Sequence, residues 1–165
     1  MENATINQNW KTLIKPTKLN VQNNEDKSIT TVIAEPLEKG YALRIGNSLR
    51  WILLSSIQGS AITSIQIDGV LHEFSSIQGV REDVTDIVLN VKTLSIKVMS
   101  EGAKKLILDA KGPGEIKAKD IQPNADVKIL NPDLVICHLD NNTKFHMELT
   151  PNTGKCYRPA DKNKD

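Results

Sequence analysis

The chain has 165 residues, a hydrophobic fraction of 39% and a formal net charge of +1, enough for one ordinary domain or two small ones. The near-neutral charge excludes a strong global attraction to nucleic acid or to an anionic membrane surface. The polar N-terminus lacks the apolar core of a signal peptide, and no run approaches the ~18 apolar residues of a membrane span. Cys137 and Cys156 have no CxxC spacing, which favours a reduced, intracellular protein. The lack of a long apolar run predicts no membrane association.

The first predicted elements are two strands and one long helix. The strands cover about Lys18–Gln22 and Ser28–Ala34, on either side of a polar turn. The helix is predicted over Gly46–Gly59, with Asn47 or Ser48 as its N-cap and Gly59 as its C-terminal stop.

This helix is apolar on most of its circumference. A stripe with the i, i+3, i+4, i+8 spacing of a buried face is formed by Leu49, Ile52, Leu53 and Ile57. Trp51 and Leu54 lie outside the stripe. We therefore expect the helix to pack on its own sheet and also on another protein chain.

The rest of the chain is predicted to be rich in strands around a second helix. Alternation predicts a half-buried strand over Ala61–Asp68, and the second helix starts at Glu82 or Asp83. Its buried stripe is predicted to be Val84, Ile87, Val88 and Val91. The later strands are predicted at Ser95–Met99, Lys104–Leu108, Glu115–Ala118, Val127–Ile129, Leu134–Leu139 and Lys144–Leu149.

No motif in the sequence predicts catalysis, a cofactor or a metal ion. His138 and His146 lie on adjacent predicted strands and could face each other across a hairpin. Cys137 then points to the opposite face from His138, because side chains alternate along a strand, and this separates the most obvious metal-binding pair. The acidic pair Glu82-Asp83 is better explained as a helix start than as a carboxylate pair for acid–base catalysis.

Several blocks of sequence resemble the N-terminal part of the bacterial RNA polymerase alpha subunit. They are Glu35–Gly40, Gly46–Arg50, Ile52–Ser56, Ile67–Phe74, Gly79–Val84 and Val135–Leu139. Their order and spacing match the family from about Trp10 to Pro159. The residues around Asn9-Trp10 and Leu13–Pro16 are most similar to alpha subunits of the alphaproteobacterial type.

The resemblance implies an α+β fold with two subdomains in a cytoplasmic protein. Residues 1–58 would form the first part of a dimerisation subdomain with one long helix, and residues 59–160 an inserted β-rich subdomain. A frayed tail is expected at 161–165. The family's returning strand and helix and its C-terminal DNA-binding domain are missing from this sequence, so the chain is expected to be truncated.

The resemblance also implies two sets of protein contacts: one with a second alpha subunit in a homodimer, and one with the beta and beta-prime subunits. DNA would be reached only through the assembled complex, and RNA synthesis would belong to that complex. The implied dimer residues are Leu13, Tyr41, Ile45, Leu49, Ile52 and Leu53. The implied large-subunit contacts are Arg50, Trp51, Leu54, His72, Glu73, Phe74, Arg81 and Asp83. Trp51 stands where the family usually has a second arginine.

Two alternatives come from other functional classes. The first is a standalone dimerisation or adaptor module that has the alpha-like fold but no longer assembles polymerase. The second is a small hydrolase that uses histidine and cysteine, for which the sequence contains no motif. Binding of a beta-type subunit distinguishes the polymerase role from the standalone module.

Overall fold

The computed structural model describes residues 8–9, 11–25, 29–100, 102 and 104–163. The predicted apolar patch before Lys15 includes Trp10, and the predicted frayed tail includes residues 164 and 165; these three residues lie outside the described ones. The fold is mixed α+β, as predicted. Among the described residues, no helix has the length and apolar character needed to cross a membrane.

The described residues form two compact units that divide between Leu54 and Ser55. We call them unit 1 and unit 2. The division comes slightly before the predicted boundary at 58/59, and the strand that begins at Gln58 pairs within unit 2, opposite Lys155.

Unit 1 consists of an antiparallel strand pair followed by a helix. β1 (Lys18–Asn23) pairs with β2 (Thr30–Glu35), in a register that places Lys18 opposite Glu35 and Asn23 opposite Thr30. The helix α1 spans Tyr41–Ser55. It follows Gly40, whose φ of +82° is readily adopted only by glycine.

The predicted ends of α1 are wrong at both termini. The helix starts at Tyr41 instead of near Asn47, and Gly46 lies in its interior. Glycine, asparagine and serine are poor helix formers, but Tyr41, Leu43 and Ile45 continue the apolar pattern toward the N-terminus. The predicted stop, Gly59, lies in a strand and has no positive φ.

The prediction that the stripe of Leu49, Ile52, Leu53 and Ile57 is buried is also wrong for the single chain. α1 is described along its whole length, and none of its residues is buried. Leu49, Ile52 and Leu53 are all exposed, and Ile57 lies beyond the helix end. The small strand pair of unit 1 therefore does not cover the stripe.

The described residues of unit 2 form three small antiparallel sheets, one α-helix and two short 3-10 helices, Ala118–Asp120 and Ala160–Lys162. The central sheet has the order β3 (Gln58–Ile67), β9 (Lys144–Lys155), β5 (Leu106–Lys111). The other two are β4 (Ile96–Val98) with β7 (Val127–Ile129), and β6 (Gly114–Lys117) with β8 (Val135–Leu139). The helix α2 covers Val84–Lys92.

The prediction for α2 is confirmed. Asp83 is its N-cap, and its side chain accepts a hydrogen bond from the Asp86 backbone N–H at 2.8 Å. Three residues of the predicted stripe, Val84, Ile87 and Val91, are buried, and the fourth, Val88, is half-buried. The core of unit 2 also contains Ile67, Leu94, Ile96, Leu106, Leu108, Ile116, Ala118, Ile121, Val127, Ile136, Cys137, Leu139, Phe145, Met147 and Leu149.

The hairpin that could bring His138 and His146 together is not formed. β8, which carries His138, pairs with β6, whereas β9, which carries His146, pairs with β3 and β5. β9 is also longer than predicted and continues through Pro151. Proline has no N–H to donate, and this one stands opposite Ile62, where the register of the β3–β9 pair shifts.

Candidate interaction surfaces

Apart from Leu13, the predicted contact residues lie on two surfaces, one in each unit. We call the exposed circumference of α1, from Tyr41 to Leu54, the helix surface, and the exposed side chains of residues 70–83 the loop surface.

The predicted dimer residues of α1 share one face of the helix. At 100° per residue, Tyr41, Ile45, Leu49, Ile52 and Leu53 occupy an arc of about 120°. All five side chains are exposed. We call this the leucine face, and it gains Tyr41 and Ile45 only because α1 begins earlier than predicted.

The predicted large-subunit residues of α1 lie on the other side of the helix. Arg50, Leu54 and Trp51 fall within an arc of about 100°, whose centre is roughly opposite that of the leucine face. The sequence prediction missed Leu43, which lies between Arg50 and Leu54 on this arc and is exposed. We call this the tryptophan face, since Trp51 is its largest side chain and is 72% exposed.

The predicted dimer residue outside α1 is Leu13. It is half-buried, and the backbone N–H of the next residue, Ile14, donates a hydrogen bond to Glu38 Oε2 at 3.1 Å. This bond ties the segment before β1 to the turn before α1. Its role in a dimer stays a prediction.

The loop surface is held at its first half by the N-terminus of α2. Val84 N–H donates to the Ser75 carbonyl oxygen at 3.1 Å, and Thr85 Oγ1 donates to the Glu73 carbonyl oxygen at 2.9 Å. These bonds fix the backbone on both sides of Phe74. The Phe74 side chain is nevertheless 80% exposed. A large apolar side chain is therefore exposed on a backbone segment that hydrogen bonds hold in place.

The second half of the loop surface is held by β8. Arg81 N–H donates to the His138 carbonyl oxygen at 3.1 Å, and His138 N–H donates to Glu82 Oε2 at 2.7 Å. The His138 ring adds a contact of 2.5 Å between Nδ1 and Glu82 Oε1. Sequence analysis missed this anchor because the partners are far apart along the chain.

The Glu82 carboxyl group is adapted to this anchoring role. Burial raises its pKa, but hydrogen bonds from the His138 backbone N–H and ring and from its own backbone lower the pKa by more. The net result is a pKa below the ordinary 4.5, so the carboxylate stays charged at neutral pH.

All five predicted contact residues of the loop, His72, Glu73, Phe74, Arg81 and Asp83, are exposed. Asp83 also caps α2, so its carboxylate has a structural use in the chain itself. A groove of about 430 Å³ lies beside Phe74, between α2 and β3. It is lined by Ile62, Thr63, Ser64, Ile65, Glu73, Phe74, Thr85, Val88, Leu89, Val91, Lys92 and Ala160.

The titratable side chains of unit 2 are arranged as structural groups. Cys137 is fully buried, and burial, followed by the Glu82 charge, raises its pKa to about 12, so the thiol is not activated as a nucleophile. Within the part of the chain that the structure describes, no three histidine, cysteine or acidic residues are grouped so that they could hold a metal ion.

His146 forms an ion pair with Asp109, 2.5 Å from ring Nδ1 to Oδ1. This hydrogen bond is the main reason that the pKa of His146 is raised above its ordinary 6.5. Asp109→Asn is therefore expected to lower the pKa of His146. Since the folded pKa exceeds the unfolded one, the pair stabilises the folded chain below pH about 6.5, and this contribution is lost as pH rises through the folded pKa.

The measurement is an NMR titration of the His146 ring protons, together with urea denaturation on both sides of the transition. Asp133→Asn is the matched control, because Asp133 is not among the groups that shift the pKa of His146. An unchanged His146 pKa in Asp109→Asn would contradict the assignment.

A comparison with known protein families bears on these surfaces. The family model described as the RNA polymerase Rpb3/RpoA insert domain matches residues 65–165, which is more than half of the chain. The matched region contains the loop surface and α2.

Proposed function

The chain belongs to the family of RNA polymerase alpha/Rpb3-type subunits, and on this premise we propose that it is a non-catalytic assembly subunit of a bacterial-type DNA-directed RNA polymerase. It forms a homodimer, and the dimer docks the beta and beta-prime subunits. RNA synthesis belongs to the assembled enzyme in the cytoplasm, and DNA is reached through that enzyme. The N-terminal sequence blocks favour an alphaproteobacterial origin.

The observation that carries the proposal is the pair of opposite apolar faces on α1. A helix that only packs on its own domain needs one apolar face. α1 has the leucine face and the tryptophan face, and both are exposed in the single chain. Two faces suit a helix that meets a second copy on one side and a different subunit on the other.

The loop surface supports a second contact with a large subunit. Phe74 and the neighbouring Leu71 are exposed apolar side chains, and the backbone around Phe74 is fixed by hydrogen bonds to α2. A rigid aromatic anchor loses little entropy on binding, which is why aromatic residues dominate the energetics of protein interfaces. His72, Glu73 and Arg81 supply polar groups around this anchor.

Trp51 favours the standalone adaptor as a second candidate. The family usually has an arginine at this position, and Trp51 places a large apolar side chain on the face assigned to the large subunits. An adaptor would use this face for a different partner. The two candidates differ in whether an RNA polymerase beta subunit binds.

The test is affinity capture of an alphaproteobacterial RNA polymerase beta subunit by the tagged chain in a co-expression strain. Replacing Phe74 or Leu54 with serine is expected to reduce the captured beta subunit by about tenfold or more, since each removes a central apolar contact. Leu130→Ser is the matched control, because Leu130 is exposed in unit 2 outside both surfaces.

Failure of the folded wild-type chain to capture the beta subunit would contradict the polymerase role and favour the adaptor. Equal losses in Leu130→Ser and Phe74→Ser would contradict the loop surface as the contact. Circular dichroism of each variant shows that its fold is retained.

A further inference from the structure

A second feature of unit 2 lies outside both interaction surfaces. Lys97 on β4 and Lys128 on β7 stand directly opposite each other and are both exposed. Like charges in directly opposed positions destabilise a strand pair. In the described part of the chain, no ion pair or side-chain hydrogen bond includes either ammonium group.

The apolar residues on the opposite face of the β4–β7 pair explain why these strands form. They do not explain why both strands carry a lysine on the exposed face. Ile96 and Val127 are buried in the core, and Val98 and Ile129 pack against it. Apolar burial on one face needs only a polar residue on the other. A threonine or glutamate at one of the two positions would serve folding better than a second lysine.

A groove of about 440 Å³ lies beside Lys128 and adds a third cation, Lys119. The groove is lined by Met99, Leu106, Lys119, Ile121, Gln122, Pro123, Asn124, Ala125, Val127, Lys128 and Ile129. No acidic residue of the described chain is among them. We call this groove, together with Lys97, the lysine groove.

No carboxylate of the described residues forms an ion pair with Lys97, Lys119 or Lys128. Asp120 follows Lys119, but its Oδ2 accepts a hydrogen bond from Lys117 N–H at 2.8 Å. Asp126 precedes β7, is half-buried, and forms no ion pair with a described lysine. Asp109 Oδ2 accepts a hydrogen bond from the side chain of the lining residue Gln122 at 2.8 Å. The lining itself therefore contains two exposed lysines, Lys119 and Lys128, and no carboxylate of the described chain, and Lys97 is exposed opposite Lys128.

We propose that the lysine groove binds an acidic peptide segment of a partner protein. Carboxylates of the segment pair with Lys97, Lys128 and Lys119, and an apolar side chain enters the groove between them. This pairing would offset the like-charge repulsion between Lys97 and Lys128.

An acidic peptide fits the groove better than a nucleic acid does. The lining contains no aromatic side chain on which a base could stack, and it contains no arginine. Three lysines are also fewer than the ~6–10 phosphate contacts that give strong binding to duplex DNA. The aliphatic lining instead suits a leucine or similar side chain.

The test uses the full chain and a fluorescein-labelled peptide of ten residues in which glutamate and leucine alternate. Fluorescence polarisation measures the dissociation constant. The double variant Lys97→Gln/Lys128→Gln is expected to weaken binding about fivefold to tenfold, the size expected for two exposed ion pairs. Rising salt is expected to weaken binding of the wild-type chain.

The chain contains a matched control pair. Lys111 and Lys144 are also directly opposed and exposed, but they lie on the β5–β9 pair away from the lysine groove. Lys111→Gln/Lys144→Gln is expected to leave peptide affinity unchanged. The melting temperature of the Lys97→Gln/Lys128→Gln variant is expected to stay constant or rise, since it removes a like-charge contact without unfolding the sheet.

Four results would overturn the proposal. The first is that the peptide does not bind to the wild-type chain, and the second is that a control peptide with glutamine in place of glutamate binds equally well. The third is that the Lys111→Gln/Lys144→Gln variant weakens peptide binding as much as Lys97→Gln/Lys128→Gln does. The fourth is that a ten-nucleotide single-stranded DNA binds more tightly than the peptide.

Discussion

Replacing Leu49 and Leu53 of α1 with aspartate is expected to raise the dissociation constant for self-association by at least about a hundredfold. Both leucines belong to the leucine face, where Leu49 is 53% exposed in the single chain. Covering a leucine side chain contributes about 1.5–3 kcal/mol, and burying a carboxylate in its place adds a further cost. Losing two such contacts corresponds to a change of two or more orders of magnitude.

The measurement is sedimentation equilibrium at micromolar concentrations. Leu130→Asp is the control, because Leu130 is 56% exposed, similar to Leu49, but lies in unit 2. The wild-type chain alone is expected to associate weakly or to aggregate, since one contact between two copies covers the leucine face and leaves the tryptophan face in water. A tight, monodisperse wild-type dimer would contradict this expectation.

Gly79→Ala is expected to reduce the free energy of unfolding by about 2–5 kcal/mol. Gly79 has a φ of +79°, and an added Cβ would lie 2.1 Å from Thr143 Oγ1. The left-handed backbone costs about 1–2 kcal/mol for an L-residue, and the overpacking costs about 1–3 kcal/mol more. The Gly79 carbonyl oxygen also accepts a hydrogen bond from Asp140 N–H at 2.8 Å. A shift of the backbone at Gly79 would therefore move the loop surface relative to Asp140.

Two variants separate the backbone cost from the clash. Gly69→Ala tests the backbone alone, because Gly69 has a φ of +78° and an added Cβ would meet nothing within 4 Å. Thr143→Ala combined with Gly79→Ala removes Oγ1 and is expected to recover part of the loss. Urea denaturation gives each value, and a loss in Gly79→Ala no larger than that in Gly69→Ala would rule out the clash.

Elements with complete local signals could be predicted from the sequence. The start of α2 at Glu82 or Asp83 and its buried residues at helical spacing were predicted, and the structure places the N-cap at Asp83. α1 was predicted with the wrong ends because Gly46, Asn47 and Gly59 resemble terminal residues, whereas the helix continues through the first two and ends before the third. Local propensity is a weak guide where the apolar pattern continues across it.

Contacts between distant segments could not be predicted in the same way. The pairing of β9 with both β3 and β5 depends on side chains that are far apart in sequence. Pro151 is an unfavourable strand residue, so the part of β9 that follows it was not predicted. The bond between Glu82 and His138, which anchors the loop surface, has no local signature either. The predicted contact residues of this surface are exposed, and their contact with a large subunit stays a prediction.

The most direct measurement of the central claim is native mass spectrometry of the chain mixed with an RNA polymerase beta subunit. The account predicts a complex of two copies of the chain with one beta subunit, and predicts that Leu49→Asp/Leu53→Asp removes the second copy. A chain that stays monomeric and leaves the beta subunit unbound, while circular dichroism shows it to be folded, would contradict the account.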